Sequence, residues 1–258
     1  MARSKQGTAP NKVKFAPPKR FRLNFEDPNV IKLIESLPQG VVAVLANESA
    51  RYTTFHASMS ALALPYGSRL SFHTGCYVVD SSNRAVEGLN PDEDWLMLMG
   101  DDHQLPPHLA IKLLALMYKH DLDIVVPLCF KHSFPPAPVI YDLGADGLPD
   151  PVELALHPGG GLIEVYCAGT AGMIIRQRVF NKMREEGDIP FFQLGGEHWG
   201  EDLDFCRRAR SHGFKVWCDL DMPLGHIVNT CLWPQIDDNG DWGCEYEFHQ
   251  QGGFWLKI

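Results

Sequence analysis

The chain has 258 residues, of which 45% are hydrophobic and 21% are charged, and its formal net charge is −9. A chain of this length can bury a large core, and its composition excludes collagen-like and low-complexity proteins. No apolar run approaches the roughly 20 residues of a membrane-spanning helix, and the start lacks the apolar core of a secretory signal. We therefore expect a cytoplasmic protein that needs no membrane.

The charge is unevenly distributed along the chain. Seven of the 23 basic residues lie within residues 1–25, which contain no acid, so 16 basic residues face 32 acidic ones in the remainder. A basic arm can contact a phosphate backbone; the alternative, which we favour, is a disordered, solubilising leader. The acidic remainder is not a general nucleic-acid binder. We predict a flexible arm over 1–27, a main domain over 28–233 and an acidic, aromatic segment over 234–258.

The seven cysteines form no C-x-x-C pair, and their number is odd. Such spacing argues against a disulfide framework and against a zinc knuckle. The cysteines are therefore expected to be small buried hydrophobic residues.

The main domain alternates short apolar strands with amphipathic helices. Strands are predicted at 41–46, 69–75, 94–100, 123–130, 171–176 and 214–220, and helices at 49–64, 83–89, 106–117, 177–186 and 201–212. Residues 131–161 are rich in Pro and Gly and are expected to be loops. Alternation of this kind predicts an α/β fold with a mostly parallel sheet flanked by helices.

An acidic turn follows the predicted strand at 94–100. Ligands of open α/β sheets bind beyond the carboxyl ends of the strands, and here Gly100 is followed by Asp101, Asp102 and His103. Two carboxylates and an imidazole on one turn favour a divalent cation, which commonly shares a phosphate with the protein. The alternative is a solvated turn before the next helix, a place where Asp is also favoured.

Two further features lie later in the chain. Glu201 and Asp202 open a predicted helix, where the helix dipole alone stabilises acids by about 0.3–1 kcal/mol. The arginines of this helix are expected to face outward; they are Arg207, Arg208 and Arg210. His226 follows the last predicted strand, and a single histidine is usually a core or surface residue.

Taken together and in this order, the three features resemble glycosyltransferases of the GT-A fold, similar to the family-2-like enzymes of bacteria and phages. The resemblance covers roughly residues 40–228. The matching stretches are DWLMLMGDDHQLPP, DIVVPLCFKHSFPPAPVIY, YCAGTAGMIIRQRVF, GEDLDFCRRARSHGFKVWCDLD and GHI. It implies a Rossmann-like nucleotide-diphospho-sugar transferase domain, a UDP- or GDP-sugar donor, and Mn²⁺ or Mg²⁺.

The resemblance also implies metal ligands. Asp102 matches the last aspartate of the Asp-x-Asp motif, which bridges the metal to the donor diphosphate, and His226 matches a histidine ligand of many such domains. Gly100 occupies the position of the first aspartate, so Asp101 becomes a third candidate ligand. Carboxylate together with neutral imidazole suits Mn²⁺.

Catalytic and donor-binding roles follow from the same resemblance. Asp202 matches the general base of inverting relatives, with Glu201 as second candidate; in a retaining enzyme this pair would orient the acceptor or the sugar. Inversion is favoured. The candidate contacts to the nucleotide-sugar are Asn47, Glu48, Arg51, Asn83, Arg84, Asp101 and Gly169. An exposed helix charge is the alternative for Arg84, and a plain turn before a strand is the alternative for Gly169.

Two other functions fit parts of the pattern. A nucleotidyltransferase of similar fold would use the same acidic strand end, and a non-catalytic carbohydrate- or nucleic-acid-binding module would use the basic arm and the aromatic tail. The sequence does not identify the molecule that carries the acceptor hydroxyl. The arm and the similarity to phage enzymes suggest a modified base in phage DNA, which would place the protein in the host cytoplasm.

Overall fold

The computed structural model describes residues 24–46, 53–74, 77–131, 136–228, 230–237, 239–248 and 252–257. The helices are α1 (Pro28–Ser36), α2 (Thr53–Ser60), α3 (Val78–Glu87), α4 (Leu109–Lys119), α5 (Gln177–Glu185) and α6 (Glu201–Ser211), with a 3₁₀ turn at Leu154–Leu156. The strands are β1 (Gly40–Ala46), β2 (Arg69–Thr74), β3 (Trp95–Gly100), β4 (His103–Gln104), β5 (Ile124–Leu128), β6 (Ile140–Leu143), β7 (Pro149–Pro151), β8 (Leu162–Val165), β9 (Cys167–Ala168), β10 (Met173–Arg176), β11 (Val216–Pro223), β12 (Gly225–Val228), β13 (Thr230–Ile236), β14 (Trp242–Phe248) and β15 (Gly252–Lys257).

The central sheet has seven strands in the order β2–β1–β3–β10–β5–β11–β8. Strands β2, β1, β3, β5 and β11 share one direction, whereas β10 and β8 run against their neighbours. The predicted α/β fold with a mostly parallel sheet is therefore confirmed. The strand predicted at 171–176 exists as β10 but is antiparallel. Its apolar pattern does not distinguish the two directions, because a central strand buries both faces in either case.

Each face of the sheet has its own apolar core. On β3, Trp95, Met97 and Met99 belong to one core, and Leu96 and Leu98 belong to the other. Helices α1, α2 and α4 pack on the first face, and α3, α5 and α6 pack on the second. This double burial explains why the central strands are continuous apolar runs.

A second, antiparallel sheet has the order β15–β14–β13–β12–β4, and a third has the order β7–β6–β9. Strand β13 continues across the predicted boundary at residue 233, and β14 and β15 extend the same sheet. At the other predicted boundary, α1 begins at Pro28, with the Asp27 carboxylate accepting a hydrogen bond from the Asn29 N–H at 2.9 Å. The proposed division into arm, domain and tail stays a prediction.

None of the helices within the described ranges is long and apolar enough to cross a bilayer.

An ion network anchors α6, which carries the acidic pair predicted from the sequence. Contrary to the outward orientation expected for it, Arg208 is only 8% exposed. Its Nε donates to Asp204 Oδ2 at 2.8 Å and its Nη1 to Asp188 Oδ1 at 2.6 Å, and it also bonds the carbonyls of Pro190 and Phe191. The arginine is buried because Asp204 is fully buried and requires a compensating charge.

We expect Arg208→Met to lower the free energy of unfolding by about 3–5 kcal/mol, because it leaves the carboxylate of Asp204 buried without this partner. Arg207 is the matched control: it also bonds Asp204, but 44% of its side chain is exposed, so Arg207→Met should cost less than about 1 kcal/mol. Urea unfolding of the two variants measures the difference. Equal losses would contradict this account of the network.

Candidate functional site

Backbone pairing brings the acidic turn and His226 together. Strand β4 begins immediately after the acidic turn and pairs with β12, so that His103 lies opposite His226 and Gln104 opposite Gly225. The Ile227 N–H also donates to the carbonyl of Asp102 at 2.8 Å. Two segments far apart in sequence are therefore fixed side by side at the carboxyl end of β3.

The side chains at this junction are in direct contact. Asp102 Oδ2 lies 3.4 Å from His226 Nε2, and Asp102 Oδ1 lies 2.8 Å from His103 Nδ1. The two imidazole rings stack with their centroids 4.5 Å apart. Burial would raise the pKa of the Asp102 carboxyl, but its hydrogen bonds with the two histidines hold that pKa well below its usual range. The carboxylate is therefore ionised.

The hydrogen bonds of His226 indicate that a positive charge belongs between the two side chains. Its Nδ1 lies 2.6 Å from the carbonyl oxygen of Phe130, which can only accept, so Nδ1 carries a proton. In the neutral ring the lone pair of Nε2 then faces Asp102 Oδ2, which is also an acceptor. A divalent cation between them, or a second proton on the ring, resolves this conflict. A ligating histidine whose other N–H is held by a carbonyl is common at metal sites.

Gly100 accounts for the missing first aspartate of the motif. A Cβ at this position would lie 2.7 Å from Asp102 Oδ1 and 3.1 Å from the His103 ring. Any side chain there would displace the groups that approach His226. Asp101 is partly buried in the turn that follows β3, and its role as a ligand stays a prediction.

The second acidic group lies at the start of α6. Asp202 is partly buried, and its Oδ1 accepts a hydrogen bond from the Leu203 N–H at 2.8 Å. Burial raises the pKa of Asp202 to about 6, and the neighbouring charge of Glu201 adds to the shift. A carboxylate with this pKa is still ionised near pH 7 but accepts a proton more readily than an exposed one.

The backbone of Gly169 lies beside this carboxylate. A Cβ on Gly169 would lie 3.4 Å from Asp202 Oδ2, so the backbone of this turn lines one side of the acid. The backbone of Thr170 also donates a hydrogen bond to Asp202. The structure thus brings together two residues that the sequence assigned to different roles, Gly169 for the sugar and Asp202 for the proton.

A short run of backbone hydrogen bonds connects the two acidic groups. The Val139 N–H donates to Cys129 O at 3.0 Å, and the Gly169 N–H donates to Val139 O at 2.8 Å. Cys129 lies beside His103 and His226, and Gly169 lies beside Asp202. Two inter-strand steps correspond to about 10 Å between the backbones of Cys129 and Gly169.

The predicted donor contacts have different outcomes. Asn47, Glu48 and Arg51 lie outside the described residues. Arg84 is exposed on α3, and its contact with a donor stays a prediction. The amide of Asn83 donates to Phe192 O at 2.8 Å and accepts from Phe192 N at 3.0 Å. Asn83 therefore ties α3 to the segment before α6, and its polar atoms are engaged in that contact.

Tyr141 is a side chain near Asp202 that sequence reasoning overlooked, and Lys131 is its neighbour. Tyr141 on β6 is 8% exposed, and Lys131 Nζ lies 5.1 Å from the centre of its ring. Burial raises the pKa of Tyr141, while Lys131 opposes and Asp202 adds to that shift. Both residues lie in or beside the Pro-rich segment 131–161, which has no period that would mark them.

The chain matches no protein-family model, and no curated protein matches it. Solved structures do match, 123 chains in all. One is the crystal structure of A197 from STIV, with a TM-score of 0.52 and 11% identity over 83% of this chain and 96% of that one. Another is GalNAc-T7 with UDP, GalNAc and Mn²⁺, with a TM-score of 0.55 and 13% identity over 75% of this chain.

The alignment spans 44% of the GalNAc-T7 chain, so this protein is similar to less than half of that molecule. A third match is 4-diphosphocytidyl-2C-methyl-D-erythritolsynthase from Anaerococcus prevotii, at 9% identity over 74% of this chain and 88% of that one; its TM-score of 0.39 is too low to support an argument. At such identities the comparisons show a shared fold, and they are consistent with the GT-A-like fold that the sequence predicts.

Proposed function

We propose that this protein is a metal-dependent glycosyltransferase that moves a sugar from a nucleotide-sugar donor to a hydroxyl acceptor. The observation that carries the proposal is the convergence of Asp102 and His226 at the end of β3. The carboxylate of Asp202, whose pKa is raised to about 6, supplies the second acidic group. The GalNAc-T7 structure of similar fold holds UDP, GalNAc and Mn²⁺, which supports a nucleotide-sugar and Mn²⁺ or Mg²⁺ here.

The donor diphosphate is placed by the Asp102–His226 pair. These residues would hold a divalent cation, which when bound neutralises the charge that develops on the departing diphosphate. Asp101 is the further candidate ligand from the same turn. The bond between the anomeric carbon and the phosphate oxygen breaks, and its electron pair leaves with the nucleoside diphosphate.

The acceptor is activated from the other side. Asp202 Oδ2 takes the proton of the acceptor hydroxyl while the acceptor oxygen forms the new bond to the anomeric carbon. Attack from the face opposite the departing diphosphate inverts the configuration, which is the outcome we favour. Gly169, whose backbone lies beside Asp202, is the candidate contact to the sugar. Glu201 raises the pKa of the base through its charge.

The charge of the N-terminal segment bears on the acceptor and on the cellular location of the protein. The basic segment at 1–25 suits a large anionic acceptor, and we carry a modified base in phage DNA as the specific version to be tested, with the host cytoplasm as its location.

The test is a panel of UDP- and GDP-sugars with Mn²⁺, with and without DNA, scored for nucleoside diphosphate. We expect slow hydrolysis of one donor alone and faster release when its acceptor is present. Release of pyrophosphate from a nucleoside triphosphate would instead identify a nucleotidyltransferase. Sugar binding without consumption of any donor would identify a non-catalytic module.

A further inference from the structure

A group of softer metal ligands shares His226 with the Asp102–His226 pair. One donor atom each from His103, Cys129 and His226 lies within 4.8 Å of the others. His103 belongs to β4, Cys129 follows β5, and His226 belongs to β12. Three different strands therefore deliver two imidazoles and a thiol to one place.

Two members of this group are buried, and one buried nitrogen of His103 lacks a hydrogen-bond partner among the described residues. His103 is 5% exposed and Cys129 is fully buried. While Nδ1 of His103 faces Asp102, its Nε2 is buried and has no hydrogen-bond partner in the described part of the chain. Buried polar atoms of this kind are rare in proteins, and a bound ion is one of the standard reasons for them.

The thiol and His226 meet at the same carbonyl group. Cys129 Sγ lies 3.6 Å from Phe130 O, and His226 Nδ1 lies 2.6 Å from that oxygen. The sulfur is therefore beside the ring that also faces Asp102. An ion bound to the sulfur would compete for this histidine.

We propose that His103, Cys129 and His226 form a site for Zn²⁺, and that zinc held through Cys129 inhibits transfer by competing for His226. Thiolate with imidazole is a donor set that zinc takes and that Mg²⁺ and Mn²⁺ avoid, and zinc also exceeds Mn²⁺ in affinity for most sites. Binding displaces the thiol proton, which passes to solvent. The inhibitory part rests on the proposed function; the binding part does not.

The experiment uses Co²⁺ as a spectroscopic substitute for zinc on the full chain after chelator treatment. Coordination by sulfur gives a thiolate-to-cobalt charge-transfer band in the near ultraviolet. We expect this band in the wild type and in Asp102→Asn, and we expect it to disappear in Cys129→Ser. Cys244→Ala is the matched control, because Cys244 is equally buried and belongs to no such group among the residues that the structure describes.

Zinc affinity provides the second measurement. Competition with a coloured chelator should show a loss of roughly 10- to 100-fold or more in Cys129→Ser, since even groups outside the ligand set change metal affinity by that factor. Zinc should also displace Mn²⁺ from the wild type at lower concentrations than from Cys129→Ser. Cys129→Ala serves as a second variant if the serine disturbs the core.

The outcomes separate this proposal from the proposed function. Stoichiometric Co²⁺ binding to the wild type without a thiolate band would overturn the zinc site and leave the Asp102–His226 site standing. A band that persists in Cys129→Ser and Cys129→Ala would also overturn it, since another thiol would then be the ligand. Absence of both Co²⁺ and Mn²⁺ binding would overturn the two proposals together.

Discussion

Asp102→Asn and His226→Ala are each expected to reduce nucleoside diphosphate release by more than about 100-fold, because each removes one of the two groups that hold the cation on the departing diphosphate. Both variants should also bind Mn²⁺ more than about 10-fold more weakly, since loss of a ligand exceeds the effect of losing an outer partner. Electron paramagnetic resonance of free Mn²⁺ measures this binding without any turnover.

His120→Ala is the control for this experiment, because His120 is an exposed histidine at the end of α4 and should retain both activity and Mn²⁺ affinity. If both site variants bind Mn²⁺ as the wild type does, the cation site lies elsewhere. The contact of 3.4 Å between Asp102 and His226 would then be an ordinary ion pair between a carboxylate and a protonated imidazole.

At the second acidic group, the largest effects are expected for Asp202→Asn, which should lower turnover and raise stability. Turnover should fall by about 10²- to 10⁴-fold, because an amide cannot take the acceptor proton, while donor affinity is largely kept. Stability should rise. The folded pKa of about 6 lies above the ordinary aspartate value of 3.8, so ionisation of Asp202 costs stability as the pH increases through this window.

The expected gain from Asp202→Asn is about 1–3 kcal/mol above pH 6, reduced by the partial exposure of the side chain, and it vanishes below pH 4, where both states hold the proton. Urea unfolding at pH 4 and pH 8 measures it. In the wild type, the acid limb of kcat/KM should have its midpoint near pH 6.

Glu201→Gln is the matched control, because it removes a neighbouring carboxylate that raises the pKa of Asp202. It should move the acid limb to lower pH and keep most of the turnover. If Glu201→Gln loses turnover and Asp202→Asn retains it, the roles of the two acids are reversed.

The C-terminal strands show where a local signal was present but was not used. Asn239 and Gly240 form a turn typical of β-hairpins, with the Asp237 carboxylate accepting from the N–H groups of Asn239 and Asp241 and with Gly240 at φ 84°. Strands β13 and β14 flank this turn and pair along their length. In β14, apolar residues alternate with Glu245 and Glu247, which is a strand signal, whereas β13 shows no such alternation and conceals the hairpin.

By itself, the sequence determined the layers of the fold and the identity of the acidic groups. The apolar runs of β1, β3 and β5 are too short for buried helices and are typical of strands that are buried on both faces. A sheet of such strands needs helices on both of its sides. Asp102, His226 and Asp202 stand out because their order and spacing match the motifs of GT-A glycosyltransferases, whereas each of them alone has an ordinary structural explanation.

Only the tertiary structure decided which of these groups meet and how they ionise. Asp102 and His226 are brought together by the pairing of β4 with β12, a contact between distant segments that no local pattern encodes. His103 and Cys129 lie beside them for the same reason, since Cys129 is far in sequence from both His103 and His226 and no local spacing links the three residues. The pKa of Asp202 depends on burial beneath the backbone of Gly169 and Thr170, and burial is a property of the packed chain alone.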